Sequence, residues 1–585
     1  MIILGINAYH PDSSACLLID GEIKIAIEEE RLNRIKHWSG FPKLSIIECL
    51  KNQKIQTSDI DLIAINHNFY SNLINKVKFI MFNKPRIGFY LNRLNNHLKK
   101  QNILDTFKEE VGDLRKACKL FEVDHHKSHV ASSYYDSPYE DSVNLSIDGF
   151  GDFASLTWGK SKNNKITIDK KILFPHSLGI FYESFTQLLG FNNFGDEYKI
   201  MGLSSYGKPS EISKVKKIIN IKNNGGFGLN LNYFNHHKKS TNYSWNNCSP
   251  KSPILFNEQI FKLFEENELN KSISDYHKNI AASVQSVYEE VFFNTLNHIY
   301  DKYQIKNLTL SGGCAQNSLA NGKITTNSKF ENIFVASNPG DAGGATGSAY
   351  VAYENYNKKK PKRVSAYLGK EYTELEISNE IKNYREVMEL KNCSNYIFKT
   401  YDDVLKFTAK QISLGKIIGW FQGKMEWGPR ALGNRSILAD PRNKNIKEII
   451  NLKIKRRENF RPFAPSILFE DAYEWFENFS GEEPFMSRVF KFKDDKMKLV
   501  PSVVHLDGTG RLQTVKKDDN FLFYKLIETF KSLTEVPLIL NTSFNENEPI
   551  VNKPEQAIDC FLRTDMDLLV MGRYIIYRKK QVSIN

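Results

Sequence analysis

Three histidines fall within five positions of one short segment. The segment DHHKSHVASSYYDS contains His125, His126 and His129, whereas the whole chain has 13 histidines. On a helix, His125 and His129 share one face, a spacing that suits two nitrogen ligands of one metal ion. His126 points to another side. The pattern also fits the polar first turn of a helix whose ASSYY portion packs inward, so the spacing alone leaves both interpretations open.

Two carboxylates in other segments could complete a metal site with these histidines. Asp148 ends the apolar stretch VNLSID, and Asp341 lies in the PGD turn that follows NIFVASN. Both residues follow predicted strands, and ligands of α/β proteins collect at the carboxyl ends of strands. Two imidazoles and two carboxylates suit Fe(II), Mn(II) or Zn(II) better than Ca²⁺, and they leave positions open for a substrate oxygen.

A second concentration of chemistry lies in the segments WGPRALGNRSILADPRN and INLKIKRRENFRPFAPS. Its basic residues are Arg430, Arg435, Arg442, Lys455, Arg456, Arg457 and Arg461. An arginine buried between apolar neighbours, as Arg461 in NFRPF would be, needs an anionic partner. Because planar guanidinium groups bind phosphate bidentately, these segments predict an anion site. The alternative is a solvated basic face.

The elements that must position these residues are predicted to be strands followed by glycine-rich loops. Residues 1–31 predict three strands joined by a loop and a tight turn, and residues 143–171 repeat this pattern. The loops SGG and PGDAGG follow two further apolar strands, and backbone N–H groups at such turns can bind phosphate. The repetition predicts a duplicated α/β domain with an actin- or hexokinase-type nucleotide cleft.

The chain is long enough for two domains. The basic, proline-containing stretch 356–365 predicts a linker between a first domain at 1–355 and a second at 366–585. The Asn-, Lys- and Gly-rich residues 212–253 predict an insertion with variable loops.

Composition limits the class of protein. The net charge of +13 comes mostly from lysines spread along the chain, which favours no nucleic-acid partner. The seven cysteines have no CxxC spacing, which argues against a disulfide framework and a cysteine zinc site. The sequence has no run of about 18 apolar residues and no signal-peptide pattern. We therefore expect a cytoplasmic enzyme without a membrane partner.

Five motifs, taken in order, make the chain resemble one known family. DHHKSHVASSYYDS, IDGFGD, DEYKIMGLSSYG, LSGGCAQN and NPGDAG resemble the NodU/CmcH/TobZ-like O-carbamoyltransferases over nearly the whole chain. The N-terminal domain of that family is similar to the tRNA threonylcarbamoyl-transfer proteins, which have an actin-like (ASKHA) fold. The C-terminal region resembles the YrdC-like domain that forms carbamoyl-adenylate. The K-x-R and S-x-N signature of that domain corresponds here to Lys455–Arg457 and Ser543–Asn545.

The resemblance implies a reaction in two stages. The C-terminal domain would form carbamoyl-adenylate from carbamoyl phosphate and ATP, with Mg²⁺ bound to the ATP. The N-terminal domain, with Fe(II), Zn(II) or Mn(II), would transfer the carbamoyl group to a hydroxyl of a sugar or natural product. Arginines and lysines of the C-terminal domain would neutralise the negative charge that develops on the phosphates.

The resemblance also implies roles for individual residues. The metal ligands would be His125, His129, Asp148 and Asp341. The catalytic residues would be His10, Asp12, Lys455 and Arg457. The residues implied to hold the adenylate in the N-terminal cleft are Ser13, Ser14, Gly149, Gly151, Gly312, Gly313, Asn317 and Gly343. Those implied to bind ATP and carbamoyl phosphate are Arg430, Arg435, Lys455, Arg457, Arg461, Arg511, Ser543 and Asn545.

Three assignments depart from the family pattern or have an alternative. Many members carry adjacent His and Asp in the first loop, whereas Pro11 separates His10 from Asp12 here, which leaves the acid/base role of His10 open. Glu197 and Lys199 would lie on the acceptor side, and a structural ion pair is the alternative. In VVHLDGTGRLQTV, pocket roles are implied for Thr509, Arg511 and Gln513, and His505 is either functional or a core histidine.

Two other classes of function remain as alternatives. A tRNA-modifying enzyme could use the same chemistry on threonine, but the sequence has no evident RNA-binding module. A nucleotide-binding scaffold without activity is the other alternative, and the retained metal and K-x-R motifs argue against it. The acceptor cannot be derived from the sequence, which is also compatible with a homodimer.

Overall fold

The computed structural model describes residues 1–83, 102–238, 248–269 and 272–579. The described chain divides into two compact units, Met1–Val364 and Ser365–Asn585. Both units combine helices with β-sheets, so the predicted mixed α/β class is confirmed. Residues 239–247 of the predicted insertion lie outside the described residues.

Two five-stranded sheets form the frame of the first unit. The first has the order β3-β2-β1-β4-β5, and the second has the order β8-β7-β6-β11-β12. A separate hairpin contains β9 and β10. The strands are β1 (Ile2–Asn7), β2 (Ser14–Ile19), β3 (Glu22–Glu28), β4 (Leu62–Ile65), β5 (Lys119–Glu122), β6 (Ser142–Gly151), β7 (Ala154–Lys162), β8 (Lys165–Leu173), β9 (Ile219–Ile221), β10 (Phe227–Leu229), β11 (Asn307–Ser311) and β12 (Asn332–Val335).

The two sheets repeat one topology. In each, three antiparallel strands are followed by two strands parallel to the first. Ile6 pairs with Ala15 in the first sheet, and Ile147 pairs with Leu156 in the second. In each sheet, the paired residues on either side of the first turn are nine positions apart. The turns after β1 and β6 therefore occupy equivalent places at the carboxyl ends of the two sheets.

Two helices that follow the last strands of these sheets pack against each other. The helices described in this unit are Glu30–Asn33, Lys43–Gln53, Leu73–Asn83, Ile103–Glu110, His125–Tyr134, Leu178–Leu188, Glu197–Ser204, Ile212–Val215, Glu266–Leu269, Asp275–Tyr303, Ser318–Gly322, Ile324–Asn327 and Gly343–Asn357. His125–Tyr134 is buried at every position except Lys127, which its Ser and Ala side chains permit. At the contact with Gly343–Asn357, a Cβ on Gly347 would lie 1.8 Å from the Ser128 carbonyl oxygen.

The second unit is built on an eight-stranded sheet. Its order is β13-β22-β21-β14-β15-β20-β16-β19, and β17 and β18 form a separate pair. The strands are β13 (Cys393–Ile397), β14 (Ile418–Phe421), β15 (Arg435–Ala439), β16 (Ala464–Leu468), β17 (Val489–Lys491), β18 (Thr509–Arg511), β19 (Gln513–Val515), β20 (Leu538–Ser543), β21 (Leu568–Met571) and β22 (Tyr574–Arg578). The helices are Glu374–Asn383, Arg385–Leu390, Tyr401–Ser413, Ile446–Ile449, Ala472–Trp475, Asp494–Met497, Phe521–Thr534 and Pro554–Arg563, and Ile450–Ile454 is a π-helix.

Residues 356–364 of the segment predicted as a linker belong to the first unit, and Ser365 begins the second. Gly343–Asn357 extends past residue 355, and the Lys362 N–H donates to the Gly21 carbonyl oxygen at 2.7 Å. Among the helices of residues 1–83, 102–238, 248–269 and 272–579, none has both the length and the apolar character required to cross a membrane.

The close helix contact at Gly347 yields a stability prediction. In Gly347→Ala the added Cβ meets the Ser128 carbonyl, so the helices must separate, and we expect a loss of about 1–3 kcal/mol in the free energy of unfolding, measured by urea titration. The control is Gly149→Ala, because a Cβ there has no neighbour within 4 Å, and its change should stay within about 0.5 kcal/mol. Equal losses in the two variants would contradict the close contact.

Candidate metal centre and anion site

Four side chains from three parts of the first unit converge in one buried cluster. One ligand atom from each of His125, His129, Asp148 and Asp341 lies within 4.8 Å of the other three. The two Nε2 atoms are 3.0 Å apart, and His125 Nε2 lies 3.0 Å from Asp148 Oδ2. His129 Nε2 is 3.4 Å from both Asp148 Oδ2 and Asp341 Oδ1. The predicted set of four is thus assembled by the fold.

These four atoms fit the coordination of a transition metal. A tetrahedral ion with ligands at about 2.0–2.1 Å has neighbouring ligand atoms about 3.3 Å apart, and five of the six separations between these ligand atoms run from 3.0 to 3.6 Å. Asp341 Oδ1 is buried and accepts no well-formed hydrogen bond from a described residue. A cation bonded to that oxygen would satisfy it, whereas a carboxylate buried without a partner is costly.

The surroundings hold each ligand in place. The Gly313 N–H donates to Asp148 Oδ1 at 3.0 Å, which leaves Oδ2 directed at the histidines. His10 Nδ1 lies 2.8 Å from Asp341 Oδ2. A Cβ on Gly151 would overlap the His125 ring at 1.9 Å, so only glycine fits beside this ligand. These outer contacts orient the ligands, as hydrogen-bond partners behind metal ligands generally do.

The pKa shifts in this cluster reflect its mixed charge. Burial alone would lower the pKa of His129, but hydrogen bonds with Asp148 and Asp341 raise it to about 9. Burial would raise the pKa of Asp148, but hydrogen bonds from His125 and His129 hold it well below its usual range. Without a metal ion, a proton on His129 therefore balances the carboxylates, and an ion that binds there must displace that proton.

Asp152 anchors the helix that carries the histidines, and the sequence analysis did not identify it. Its Oδ2 accepts the N–H groups of His125 and Asn68, each at 2.9 Å, and its Oδ1 lies 2.6 Å from His67 Nδ1. Asp152 and Phe153 both have positive φ angles. Two consecutive non-glycine residues with positive φ angles are uncommon, and the only sequence signal for this conformation is that Asp adopts it more often than most residues do.

His10 and Asp12 point to different partners although they are two positions apart. His10 contacts Asp341, whereas Asp12 Oδ1 lies 2.7 Å from His37 Nδ1. Glu30 accepts the His37 N–H at 2.8 Å. Burial would lower the pKa of His37, but Asp12 and Glu30 raise it to about 9. Asp12, Glu30 and His37 form a second cluster, which no motif of the sequence indicated.

Several of the predicted loop residues bind the protein itself. Ser13 Oγ donates to the Gly40 carbonyl at 2.8 Å, and Ser14 Oγ donates to the Ala342 carbonyl at 2.9 Å. Asn317 exchanges two hydrogen bonds with Gln285 and caps the helix Ser318–Gly322. Gly312 has a φ of 85°, which permits its turn against the Ile147 carbonyl. Gly343 lies close to the Asn338 carbonyl, and Gly149 faces open space. Their assignment to a nucleotide stays a prediction.

The predicted acceptor-side residues lie close to the second cluster. Lys199 Nζ is 3.0 Å from Asp196 Oδ1, the ion pair that was the alternative for this residue. Burial raises the pKa of Glu197, and the charges of His37 and Asp12 also act on this carboxyl group. Burial and the charge of Glu197 raise the pKa of Glu183 to about 8. Glu183 is a further titratable group that no sequence motif indicated.

The K-x-R and S-x-N motifs of the second unit meet at a buried lysine. Lys455 follows the π-helix Ile450–Ile454 and is 1 % exposed. Its Nζ donates to the Ser543 carbonyl, to Ser543 Oγ at 3.2 Å and to Asn545 Oδ1 at 2.6 Å. Burial, together with the charge of Arg457, holds its pKa well below the usual range. A bound anion would offset both effects.

Arg511 lies in the field of three other arginines. Burial, followed by the charges of Arg430, Arg457 and Arg461, holds its pKa well below the usual range. Its Nε is buried and has no hydrogen-bond partner among the described residues. Arg457 Nε donates to Asn451 Oδ1 at 2.7 Å, and its guanidinium lies 4.9 Å from the Phe463 ring centre. Four positive charges gathered in this way suit phosphate.

Other predicted residues of the second unit have structural contacts. Arg435 is fully buried, donates to the carbonyls of Gln422, Asn434, Lys370 and Gly423, and stacks on Phe421 at 3.7 Å. Gln513 binds Ser466, Asn541 and the Leu432 carbonyl. His505 Nδ1 lies 3.1 Å from Thr509 Oγ1, and burial lowers its pKa to about 4. The structure therefore gives Arg435 and Gln513 core contacts, and their ligand roles stay predictions.

The sequence comparisons agree with this arrangement of sites. Residues 2–350 match the family model for the carbamoyltransferase N-terminus, and residues 409–578 match that for the carbamoyltransferase C-terminus. The chain belongs to the carbamoyltransferase family and is a carbamoyltransferase enzyme.

Its relatives include proteins of similar length. Nodulation protein NolNO of Sinorhizobium fredii is 35 % identical over 98 % of this chain and 80 % of its own length. An uncharacterised protein of Synechocystis sp. is 34 % identical over 99 % and 97 %. The HypF structure from T. kodakarensis has a TM-score of 0.29 and 13 % identity over 61 % of this chain and 48 % of its own, and a likeness at that level carries no argument.

The metal cluster predicts a difference between neighbouring histidines. His129→Ala removes one of the four ligand atoms, and we expect metal affinity to fall by more than about a hundredfold, measured by metal titration and elemental mass spectrometry. His126→Gln is the control, because His126 Nδ1 lies 2.9 Å from Ser146 Oγ and is outside the cluster. Retention of the ion in His129→Ala, or equal loss in both variants, would count against the site.

The arginine cluster predicts an unusual stability effect. Because Arg511 repels Arg430, Arg457 and Arg461, Arg511→Gln should raise the ligand-free unfolding midpoint by about 2–4 °C for each ~1 kcal/mol of repulsion removed. The same variant should lose most of the stabilisation that pyrophosphate gives the wild type. In the control Arg488→Gln, which breaks the buried pair with Glu483, the midpoint should fall and the pyrophosphate effect should persist. A lower midpoint for Arg511→Gln would contradict the repulsion.

Proposed function

We propose that this carbamoyltransferase is ATP-dependent and modifies a hydroxyl group in two steps. In the second unit, water would cleave carbamoyl phosphate into carbamate and phosphate, and the carbamate oxygen would then attack the α-phosphorus of ATP, forming carbamoyl-adenylate and displacing pyrophosphate. The first unit would transfer the carbamoyl group from the adenylate to the acceptor hydroxyl, releasing AMP. The observation that carries the proposal is that each unit has its own charge-rich site: a His/Asp cluster in one and a Lys/Arg cluster in the other.

The arginine cluster supports phosphate chemistry in the second unit. Arg430, Arg457, Arg461 and Arg511 bring positive charge together, and ATP and carbamoyl phosphate carry the negative charge that would offset it. Lys455 is held by Ser543 and Asn545, so its Nζ is fixed before a substrate arrives. As negative charge develops on the phosphate oxygens, the protonated form of Lys455 becomes more favourable and stabilises that charge. Mg²⁺ would accompany the ATP.

The metal cluster supports transfer chemistry in the first unit. A bound Fe(II), Mn(II) or Zn(II) would polarise the carbamoyl carbonyl as a Lewis acid. His10 holds Asp341 through Oδ2, which keeps Oδ1 directed at the ligand cluster. Asp12 is held by the protonated His37 and is the carboxylate that we assign as the base for the acceptor hydroxyl. Glu197 and Glu183 would line the acceptor side, which we propose takes a sugar or natural product.

The repeated sheet topology supports an actin-like fold for the first unit. Both sheets have three antiparallel strands followed by two parallel ones, and the ligands come from the turns and helices at their carboxyl ends. We assign the second unit to the YrdC-like class on its Lys455, Ser543 and Asn545 contacts. Among the described residues, no feature specifically favours the tRNA-modifying enzyme or the non-catalytic scaffold.

The two-step proposal predicts that the half-reactions can be separated. Pyrophosphate release from ATP should require carbamoyl phosphate, and Lys455→Ala should slow it by at least about a hundredfold, measured with a coupled pyrophosphate assay. His129→Ala should retain that release and lose transfer. The control Arg442→Gln changes an arginine that is paired with Asp440, and it should retain release. Normal release in Lys455→Ala, or its loss in His129→Ala, would refute the division.

The transfer step needs a separate measurement. The enzyme is incubated with ATP, carbamoyl phosphate and a panel of sugar and antibiotic acceptors, and products are examined for one added carbamoyl group by mass spectrometry. Modification of a hydroxyl supports the proposal. Carbamoyl-dependent modification of tRNA alone would support the tRNA-modifying alternative. The absence of both pyrophosphate release and a modified product would support the scaffold alternative.

A further inference from the structure

We propose that the helix Leu73–Asn83 docks the first unit on an anionic lipid surface. The outward apolar side chains of this surface helix are Leu73, Ile74, Val77, Ile80, Met81 and Phe82. The proposal goes beyond the reaction assigned above and does not depend on it. It also departs from the sequence-based expectation that the protein has no membrane partner, although no described helix could cross a membrane.

The surface helix has its apolar side facing outward. Ile74 is 71 % exposed, Met81 is 67 % exposed and Phe82 is 83 % exposed. Together with Tyr70, the six side chains make seven of the 26 large hydrophobic residues that are exposed in the described chain, all within 13 positions. Exposed apolar residues are ordinary when scattered, but a contiguous group marks an interaction site.

The inward side of the same helix is weakly apolar. Phe79 is buried against Phe153 and Phe174, with ring centres 5.8 and 4.9 Å away. Asn75 and Lys76, on neighbouring positions of that side, are half-buried. At 3.6 residues per turn, Leu73, Val77 and Ile80 fall on one arc, which Ile74 and Met81 extend. A soluble surface helix has the reverse arrangement, so this arc is suited to an apolar environment.

The sequence that contains the surface helix is basic, which favours an anionic lipid surface. The sequence from Leu62 to Leu104 has seven lysines and arginines and no Asp or Glu. Lys76 and Lys78 lie on the helix itself, and Lys78 is exposed. A helix that combines outward Phe, Ile and Leu side chains with lysines, in an acid-free region, has the composition of an interfacial membrane helix. A second copy of the chain would bring the same exposed lysine, Lys78, to this helix.

The surface helix lies beside the metal cluster within the first unit. Asn72, directly before the helix, donates through Nδ2 to the Asp152 carbonyl oxygen at 2.8 Å. The Asp152 carboxylate in turn accepts the His125 N–H at 2.9 Å. A lipid surface seated on the helix would therefore be close to the cluster of His125, His129, Asp148 and Asp341.

The test is flotation of the purified full-length chain with vesicles at low salt. We expect binding to vesicles of phosphatidylglycerol and phosphatidylcholine, weaker binding at high salt, and little binding to phosphatidylcholine alone. The triple variant Ile74→Ser, Met81→Ser, Phe82→Ser should bind at least about tenfold more weakly. The control Leu375→Ser, Leu390→Ser removes exposed apolar side chains from the second unit and should bind as the wild type does. Unchanged unfolding midpoints show that both variants fold.

Three outcomes would overturn the proposal. The first is equal binding of the triple variant and the wild type, or equal binding to neutral and anionic vesicles. The second is a wild-type dimer that the triple variant dissociates, which would make the face an interface between copies. The third is failure of Ile74→Cys to react with a maleimide in the absence of vesicles, which would show that the chain itself covers the face. Vesicle-dependent protection of that cysteine would support the proposal.

Discussion

Burial of like charges is the constraint on which both sites depend. In the first unit, Asp148 and Asp341 each contribute an oxygen to one buried group of four ligand atoms. In the second, Arg511 lies in the field of three other arginines. Ions buried without opposite charge cost several kcal/mol each, so such groups persist where a proton, an ion or a ligand balances them. The first site suits a cation, and the second, in which Arg461 also pairs with Glu458, suits an anion.

The metal cluster exists because backbone segments approach each other unusually closely. Gly347 lets the two central helices meet at the Ser128 carbonyl, and Gly151 lets the turn after β6 reach the His125 ring. A side chain at either position would displace a segment that carries a ligand, and five of the six separations between the ligand atoms are only 3.0 to 3.6 Å. Asp152 then fixes the start of the histidine helix through the His125 N–H.

The sequence predicted the members of the metal cluster better than their surroundings. Spacing placed His125 and His129 on one helical face, and strand ends placed Asp148 and Asp341 near it, because both signals are local and periodic. The pairs Asp12–His37 and His67–Asp152 join turns that are distant in sequence and rely on positive φ angles at Asp12, His37 and Asp152. No periodicity encodes such turns. Arginine density likewise did not distinguish Arg435, which binds carbonyls, from Arg430, which lies near Arg511.

The opposite charges of the two sites suit different halves of one reaction. In the proposed two-step reaction, anionic phosphates are substrates and products of the adenylation step, and a cluster of arginines with Lys455 would stabilise the charge that this step moves. The transfer step instead develops charge on a carbonyl oxygen, which a cation held by two carboxylates and two imidazoles can offset. In the proposed reaction, each unit would thus carry the charge opposite to the one that its own step develops.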